Sequence, residues 1–224
     1  MDGVSVLNST EQILHSSLNG HLIRETDLEN LFKGTPARRY GLVNKALKQK
    51  EWLSLRRGLY LVASKYQQNT FSAYYLANQI VPYSFVTAEA ALQFHQWIPE
   101  RVAQITSMAA FGRNKSFHTP LGEFIYQKSS VNLFDFLTGV ERIEINNQSV
   151  LIASPLRALA DYVYWHKIKM ANMNFLINGL RIEEENIYQL KKSEVNVLMG
   201  IYKKGRTYYF LKNLLKVLSE KDDE

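Results

Sequence analysis

Two hydrophobic periods follow one another in the N-terminal part of the chain. Apolar residues recur at helical spacing over residues 9–18, 27–32 and 36–50, and these segments predict three helices. Residues 52–62 instead alternate with a period of two around the turn Arg56-Arg57-Gly58, which predicts two short strands in a hairpin. Ser9 or Thr10 is the predicted cap of the first helix. Thr26, with Glu29 completing a capping box, is that of the second.

The third predicted helix has the clearest boundaries. Thr35 is its predicted N-cap, and Pro36 suits the first helical position because that position needs no backbone N–H donor. At about 100° per residue, one side is predicted to pack inward through Pro36, Tyr40, Val43 and Leu47. The opposite side is predicted to face water or a partner through Arg38, Gly41, Lys45, Lys48 and Gln49, flanked by Arg39 and Lys50.

Positive charge is concentrated in this helix and hairpin. Between Lys33 and Arg57 there are eight Lys or Arg residues and one acid, Glu51, a net charge of +7, whereas the whole chain carries +6. The remaining sequence is therefore close to neutral, and the basic residues mark one location. Three helices followed by a basic hairpin are typical of a winged helix-turn-helix, in which a recognition helix and a wing bind duplex DNA.

Eight residues are predicted to form the DNA-binding site: Thr35, Arg38, Arg39, Lys45, Lys48, Lys50, Arg56 and Arg57. Arg38 lies near the helix start, where an arginine can bind guanine through two hydrogen bonds. The three lysines are predicted to contact phosphates, and the two hairpin arginines to contact the minor groove or the backbone. The alternative interpretation is a small helical subdomain with a solvated basic surface.

The fold class predicted for the whole chain is α+β. A winged helix-turn-helix domain at residues 1–64 is followed by a mixed α+β domain at residues 65–224 with a helical C-terminal tail. Helices are predicted after a cap at Asn69 or Thr70, from Thr87, and from Ser154-Pro155. Three more are predicted after Asn172.

The pattern predicts strands at residues 102–110, 123–128, 140–145 and 149–152, the last two joined by Asn146-Asn147. Residues 112–122 are predicted to be a loop. Its Arg113, Lys115 and His118 belong either to a plain surface or, as the alternative, to a second anion site.

The residues give no support to an enzyme, a metal site or a cofactor. The chain has no cysteine, and its five histidines lack metal-ligand spacing. Walker, G-x-S-x-G and H-E-x-x-H patterns are absent from the sequence. No apolar run approaches the roughly 20 residues of a membrane-spanning helix, and the N-terminus does not resemble a signal peptide. We therefore expect a cytoplasmic protein with no membrane partner.

Three segments, in this order, resemble the AbiEi family of antitoxins and transcriptional regulators from type IV (abortive infection) toxin–antitoxin systems. They are Arg57-Gly58-Leu59-Tyr60, the segment 86–92 followed by His95, and the segment 150–161, which is similar to the pattern I-A-x-P-x-K/R-A-L-x-D. The likeness extends over roughly residues 8–165. Arg157 stands where lysine is common in this pattern. Arg157 and Asp161 are four residues apart on a predicted helix, and this spacing predicts an ion pair between them.

The resemblance implies a bacterial regulator whose winged helix represses its own operon. Two copies would bind an inverted repeat in the operator, and the C-terminal domain would counter a nucleotidyltransferase-like toxin. Three alternatives stay open: an orphan regulator without a toxin, a protein-interaction module with a winged helix, and non-specific nucleic-acid binding.

Overall fold

The computed structural model describes residues 8–66 and 70–222 and has a mixed α+β fold. The chain forms two compact units. The first ends at Phe71 and also includes Phe117–Leu121, and the second comprises Ser72–Ser116 and the chain from Gly122 onward.

Within residues 8–66, the first unit contains three helices and a three-stranded sheet. In chain order these are α1 (Ser9–Leu14), β1 (Ile23–Arg24), α2 (Glu25–Leu31), α3 (Pro36–Lys48), β2 (Trp52–Arg56) and β3 (Leu59–Val62). Strand β3 is central and antiparallel to both β1 and β2. One cluster of buried side chains joins the helices to the sheet: Ile13, Ile23, Leu28, Phe32, Val43, Ala46, Trp52, Tyr60 and Val62. The predicted order of helices and hairpin is confirmed.

The helix caps agree with the sequence only in part. The predicted cap of α3 is confirmed, since Arg38 N donates to Thr35 Oγ1 at 3.3 Å. The first helix is instead capped by Asn8, whose Oδ1 accepts from Glu11 N at 2.9 Å. Helix α2 begins before Thr26, because the carboxylate of Asp27 accepts from Arg24 N at 2.7 Å.

Beyond Phe71, two helices and six strands precede the C-terminal helices in the described chain. The elements are α4 (Ala73–Ile80), β4 (Ser84–Val86), α5 (Ala88–Phe94), β5 (Gln104–Ala109), β6 (Lys115–Thr119), β7 (Gly122–Lys128), β8 (Val140–Ile145), β9 (Gln148–Ala153), α6 (Pro155–Trp165), a π-helical turn (Phe175–Gly179), α7 (Glu184–Tyr188), α8 (Lys192–Ile201) and α9 (Arg206–Asp222). The strands form a mixed six-stranded sheet in the order β6-β7-β5-β4-β9-β8.

This second part differs from the sequence prediction at three places. The segment predicted to be a loop contains the strand β6, and the short strand β4 was not predicted. Ser72, not Thr70, caps α4, since its Oγ accepts from Tyr74 N at 3.3 Å; the alternative cap, Asn69, lies outside the described residues. The hairpin between β8 and β9 is confirmed, with positive φ angles of 51° and 60° at Asn146 and Asn147.

Candidate nucleic-acid interface

The end of α3 determines where the hairpin begins. Lys50 N donates to Leu47 O and Glu51 N to Ala46 O, both at 3.0 Å, and Lys50 has a φ of 54°. This is a Schellman motif in which a lysine occupies the left-handed position usually taken by glycine. The chain reverses there, so Trp52 returns to the core with 1% of its surface exposed.

A short chain of polar groups holds the start of β2 against α1. The indole Nε1 of Trp52 donates to Thr10 Oγ1 at 3.1 Å, and the Thr10 hydroxyl donates to Glu51 Oε2. Thr10 is 2% exposed, so these bonds are made where water competes little for them. Glu51, the acid within the basic segment, therefore binds a hydroxyl of its own unit.

Helix α3 is rotated relative to the sequence prediction. Val43 is buried as predicted, but the helix also packs through Ala46, with 5% and 1% exposure respectively. The prediction that Pro36 and Tyr40 face inward is wrong, because Pro36 is exposed and Tyr40 keeps 69% of its surface exposed. Ala46 belongs to the buried cluster of this unit, a position that a pattern based on residue size and hydrophobicity does not predict.

The resulting outer face of α3 consists of Ala37, Gly41, Lys45 and Lys48, with Arg38 on one edge and Tyr40 on the other; all six residues are exposed. We call this set the outer face of α3. Lys45, Lys48 and the adjoining Lys50 are exposed and form no ion pair with any residue that the structure describes. Their charge is thus available to a partner.

Arg38 and Arg39 have different surroundings although they are neighbours. Arg38 is exposed, and among the described residues its Nη1 donates only to the carbonyl of Lys33, at 3.3 Å. The side chain of Arg39 is 12% exposed; it pairs with Glu29 at 3.2 Å and donates to Gly34 O at 3.0 Å. Arg39 therefore connects α3 to α2 and to the turn before α3, whereas the guanidinium of Arg38 is accessible.

The tip of the hairpin presents one exposed cation. Arg57 is exposed, whereas Arg56 is half-buried and its Nη1 donates to Arg57 O at 3.0 Å. Gly58 has a φ of 73°, which a residue with a Cβ adopts at a cost, so the Arg57-Gly58 sequence suits this turn. Glu25 N donates to Gly58 O at 3.2 Å and connects the tip to the start of α2.

The eight predicted site residues do not include two residues of the outer face, Tyr40 and Gly41, although Gly41 was predicted to lie on the side that faces water or a partner. Tyr40 was assigned to the core because of its size. Gly41 lies in the middle of a 13-residue helix, and a Cβ added there would have no atom within 4 Å. Glycine in a helix interior destabilises it by roughly 0.5–1 kcal/mol relative to alanine, so packing within the unit does not account for this choice.

The other candidate cations lie outside this unit's helices. Arg113, Lys115 and His118 are exposed, in or just before β6. Among residues 8–66 and 70–222, no group of three or more histidine or acidic side chains is arranged to hold a metal ion. None of the helices described has the length and apolarity needed to cross a membrane.

No protein-family model matches the sequence, and a comparison with curated proteins finds no match. Function is therefore inferred below from the geometry of the site and from the three segments that resemble a known family.

Proposed function

We propose that this protein is a sequence-specific DNA-binding transcriptional regulator whose first unit is a winged helix. Helix α3 is the recognition helix, and the hairpin of β2 and β3 is the wing. The observation that supports this proposal is the outer face of α3, where Arg38, Lys45 and Lys48 are exposed and none of them pairs with a carboxylate in the described chain. Such a concentration of unpaired cations attracts the phosphate backbone of DNA.

The residues divide into three roles. Arg38, near the start of α3, contacts a guanine edge, and such a contact discriminates between bases by about 1–3 kcal/mol. Lys45, Lys48 and Lys50 contact phosphates, and Arg57 at the wing tip contacts the backbone or the minor groove. Arg39 and Thr35 position α3: the first pairs with Glu29, and the second caps the helix. Arg56, half-buried, supports the wing tip.

Gly41 gives this assignment independent support. It lies among the exposed cations of the outer face, in space that the fold leaves open. A residue without a side chain at that position lets the helix backbone approach a partner closely, as a recognition helix must in the major groove. We therefore place Gly41 at the centre of the contact.

The resemblance to AbiEi proteins extends the proposal to an autorepressing antitoxin in the bacterial cytoplasm. Two copies would occupy an inverted repeat upstream of the gene, and their presence would block transcription. The second unit would counter a nucleotidyltransferase-like toxin. This part of the proposal rests on the three resembling segments alone.

The experiment is a fluorescence anisotropy titration of the full chain with a duplex from the region upstream of its gene, compared with a shuffled duplex of the same composition. We expect tighter binding to the upstream duplex. We also expect Arg38→Ala to reduce that preference by about 1–3 kcal/mol. The matched control is Lys212→Gln, which removes an exposed cation from α9. Equal binding of both duplexes by the unaltered protein would exclude sequence-specific recognition.

A further inference from the structure

A cavity of about 610 Å³ lies in the second unit, at the start of helix α9. Its walls are contributed by the end of α6, the end of α8 and the segment after β7, all parts of the same unit. Cavities of roughly 300–1,000 Å³ are typical of small-molecule sites. The proposed DNA contact makes no use of this cavity.

The lining of the cavity is strongly cationic. Four basic residues contribute to it, and no aspartate or glutamate does: Lys167, Lys203, Lys204 and Arg206. All four are exposed, and in the part of the chain that the structure describes none of them forms an ion pair. Four uncompensated positive charges around one concave surface attract an anion.

Backbone donors converge on the same place. Helix α9 has 17 residues, and its first turn contains no acidic residue. Tyr209 N donates to Gly205 O at 3.1 Å, which makes Gly205 the residue that precedes the helix. Glycine has no side chain that could accept a hydrogen bond from the free N–H groups of the first turn. These groups therefore stay available, and free N–H groups at a helix start bind anions well.

A nearly buried threonine without a hydrogen-bond partner in the described chain provides the second, independent observation. Thr207 lines the cavity and is 4% exposed. Its hydroxyl forms no hydrogen bond with any described residue. Thr207 Oγ1 is not among the buried polar atoms that lack a partner. The hydroxyl of this nearly buried residue is therefore accessible from the cavity that the residue lines, where it can bind a ligand. Val163, Ile201 and Tyr202 give the same cavity an apolar side.

We propose that this cavity binds a phosphorylated small molecule. The phosphate accepts from the free N–H groups at the start of α9 and from the Thr207 hydroxyl, and it is neutralised by Lys204 and Arg206. The organic part of the molecule packs against the apolar side. A concave site of this size with an apolar wall fits a small organic phosphate better than the backbone of a duplex, which requires a long open surface.

The test measures the melting temperature of the full chain at constant ionic strength with inorganic phosphate, adenosine monophosphate or uncharged adenosine as the probe. A ligand that binds the folded state raises the melting temperature. We expect both phosphate compounds, but not adenosine, to raise it. Calorimetric titration of adenosine monophosphate then gives dissociation constants for the variants.

Two variants and one control locate the site. Lys204→Gln combined with Arg206→Gln should weaken adenosine monophosphate binding by more than tenfold. Thr207→Val, which keeps the shape of the side chain and removes the hydroxyl, should weaken it about tenfold. Lys212→Gln, on the same helix and outside the cavity lining, should bind as the unaltered protein does.

Three results would overturn the proposal. Neither phosphate compound raises the melting temperature; binding persists unchanged in the Lys204 and Arg206 double variant; or that variant loses DNA affinity as strongly as Arg38→Ala, which would make the cavity part of the DNA contact. The phosphate measurements contain no DNA. A negative result in them would therefore contradict the phosphate site without affecting the DNA-binding proposal, which the anisotropy titration tests separately.

Discussion

Arg157 Nε donates to Asp161 Oδ2 at 3.1 Å on helix α6, and the two side chains are 0% and 2% exposed. The Asp161 carboxylate also accepts from Thr87 Oγ1 at 2.8 Å and from the Tyr202 hydroxyl. Arg157 Nη1 donates to Thr138 O at 2.6 Å. The ion pair predicted from the sequence is confirmed, and it connects α6 to the start of α5 and to the end of α8.

Asp161→Asn should destabilise the second unit by about 3–5 kcal/mol, because it leaves the Arg157 guanidinium buried without a counter-charge. Urea unfolding followed by circular dichroism measures this change. The control is Glu220→Gln, which removes an exposed ion pair of the same spacing with Lys216. That loss should be within about 0.5 kcal/mol. Equal effects of the two variants would show that burial of the Arg157 pair contributes nothing.

Alkaline pH should weaken the same cluster through Tyr202. Burial, and then the charge of Asp161, raise the pKa of Tyr202 well above its ordinary value of 10. The folded state therefore favours the neutral phenol. Its contribution to stability is fully present below about pH 10, and it is lost as the pH rises from there toward the folded pKa.

We expect the free energy of unfolding to decline above pH 10 by up to about 1.4 kcal/mol per pH unit from this group. Tyr202→Phe should remove that part of the decline, although it loses a hydrogen bond at neutral pH. Tyr209→Phe changes an exposed tyrosine on α9 and serves as the control. The measurement is urea unfolding between pH 9 and pH 11. Parallel pH profiles for Tyr202→Phe and the unaltered protein would contradict this account.

Two substitutions at Gly41 should have different effects on the stability of the first unit and on its affinity for DNA. Gly41→Ala should stabilise the first unit by roughly 0.5–1 kcal/mol, because alanine favours the helix and the added methyl group meets open space. Gly41→Gln also favours the helix, but it places a long side chain on the outer face of α3. We expect it to weaken DNA binding by about tenfold or more, equivalent to at least 1.4 kcal/mol.

Thermal unfolding and anisotropy titration of the two Gly41 variants measure these two quantities. If Gly41→Gln bound DNA as tightly as the unaltered protein, the centre of the outer face would lie outside the contact.

The sequence contained enough information to predict the order of the elements around α3, but not the orientation of the helix. Thr35 and Pro36 locate the start of α3 through local chemistry, and Arg56-Arg57-Gly58 locates the turn of the hairpin. The inward face depends on which residues fit closely against the sheet. Ala46 is buried and Tyr40 exposed, the reverse of what their size suggests.

Other differences have similar causes. Strand β6 is rich in polar residues, with Lys115, Ser116 and His118 exposed, so its sequence has no alternation that would distinguish it from a loop. The site prediction grouped Arg38 with Arg39 because both are basic. The structure separates them, because Glu29 on α2 pairs with only one of the two. A pairing between different helices cannot be inferred from spacing along one helix.

The most direct test of the central claim, that the outer face of α3 lies on duplex DNA, is the salt dependence of the affinity for the upstream duplex. Each phosphate contact contributes about 0.9 to the slope of log affinity against log salt concentration. We predict that Lys48→Gln lowers the magnitude of the slope by about 0.9, whereas Lys212→Gln leaves it unchanged. An unchanged slope and affinity in Lys48→Gln would contradict the proposed contact.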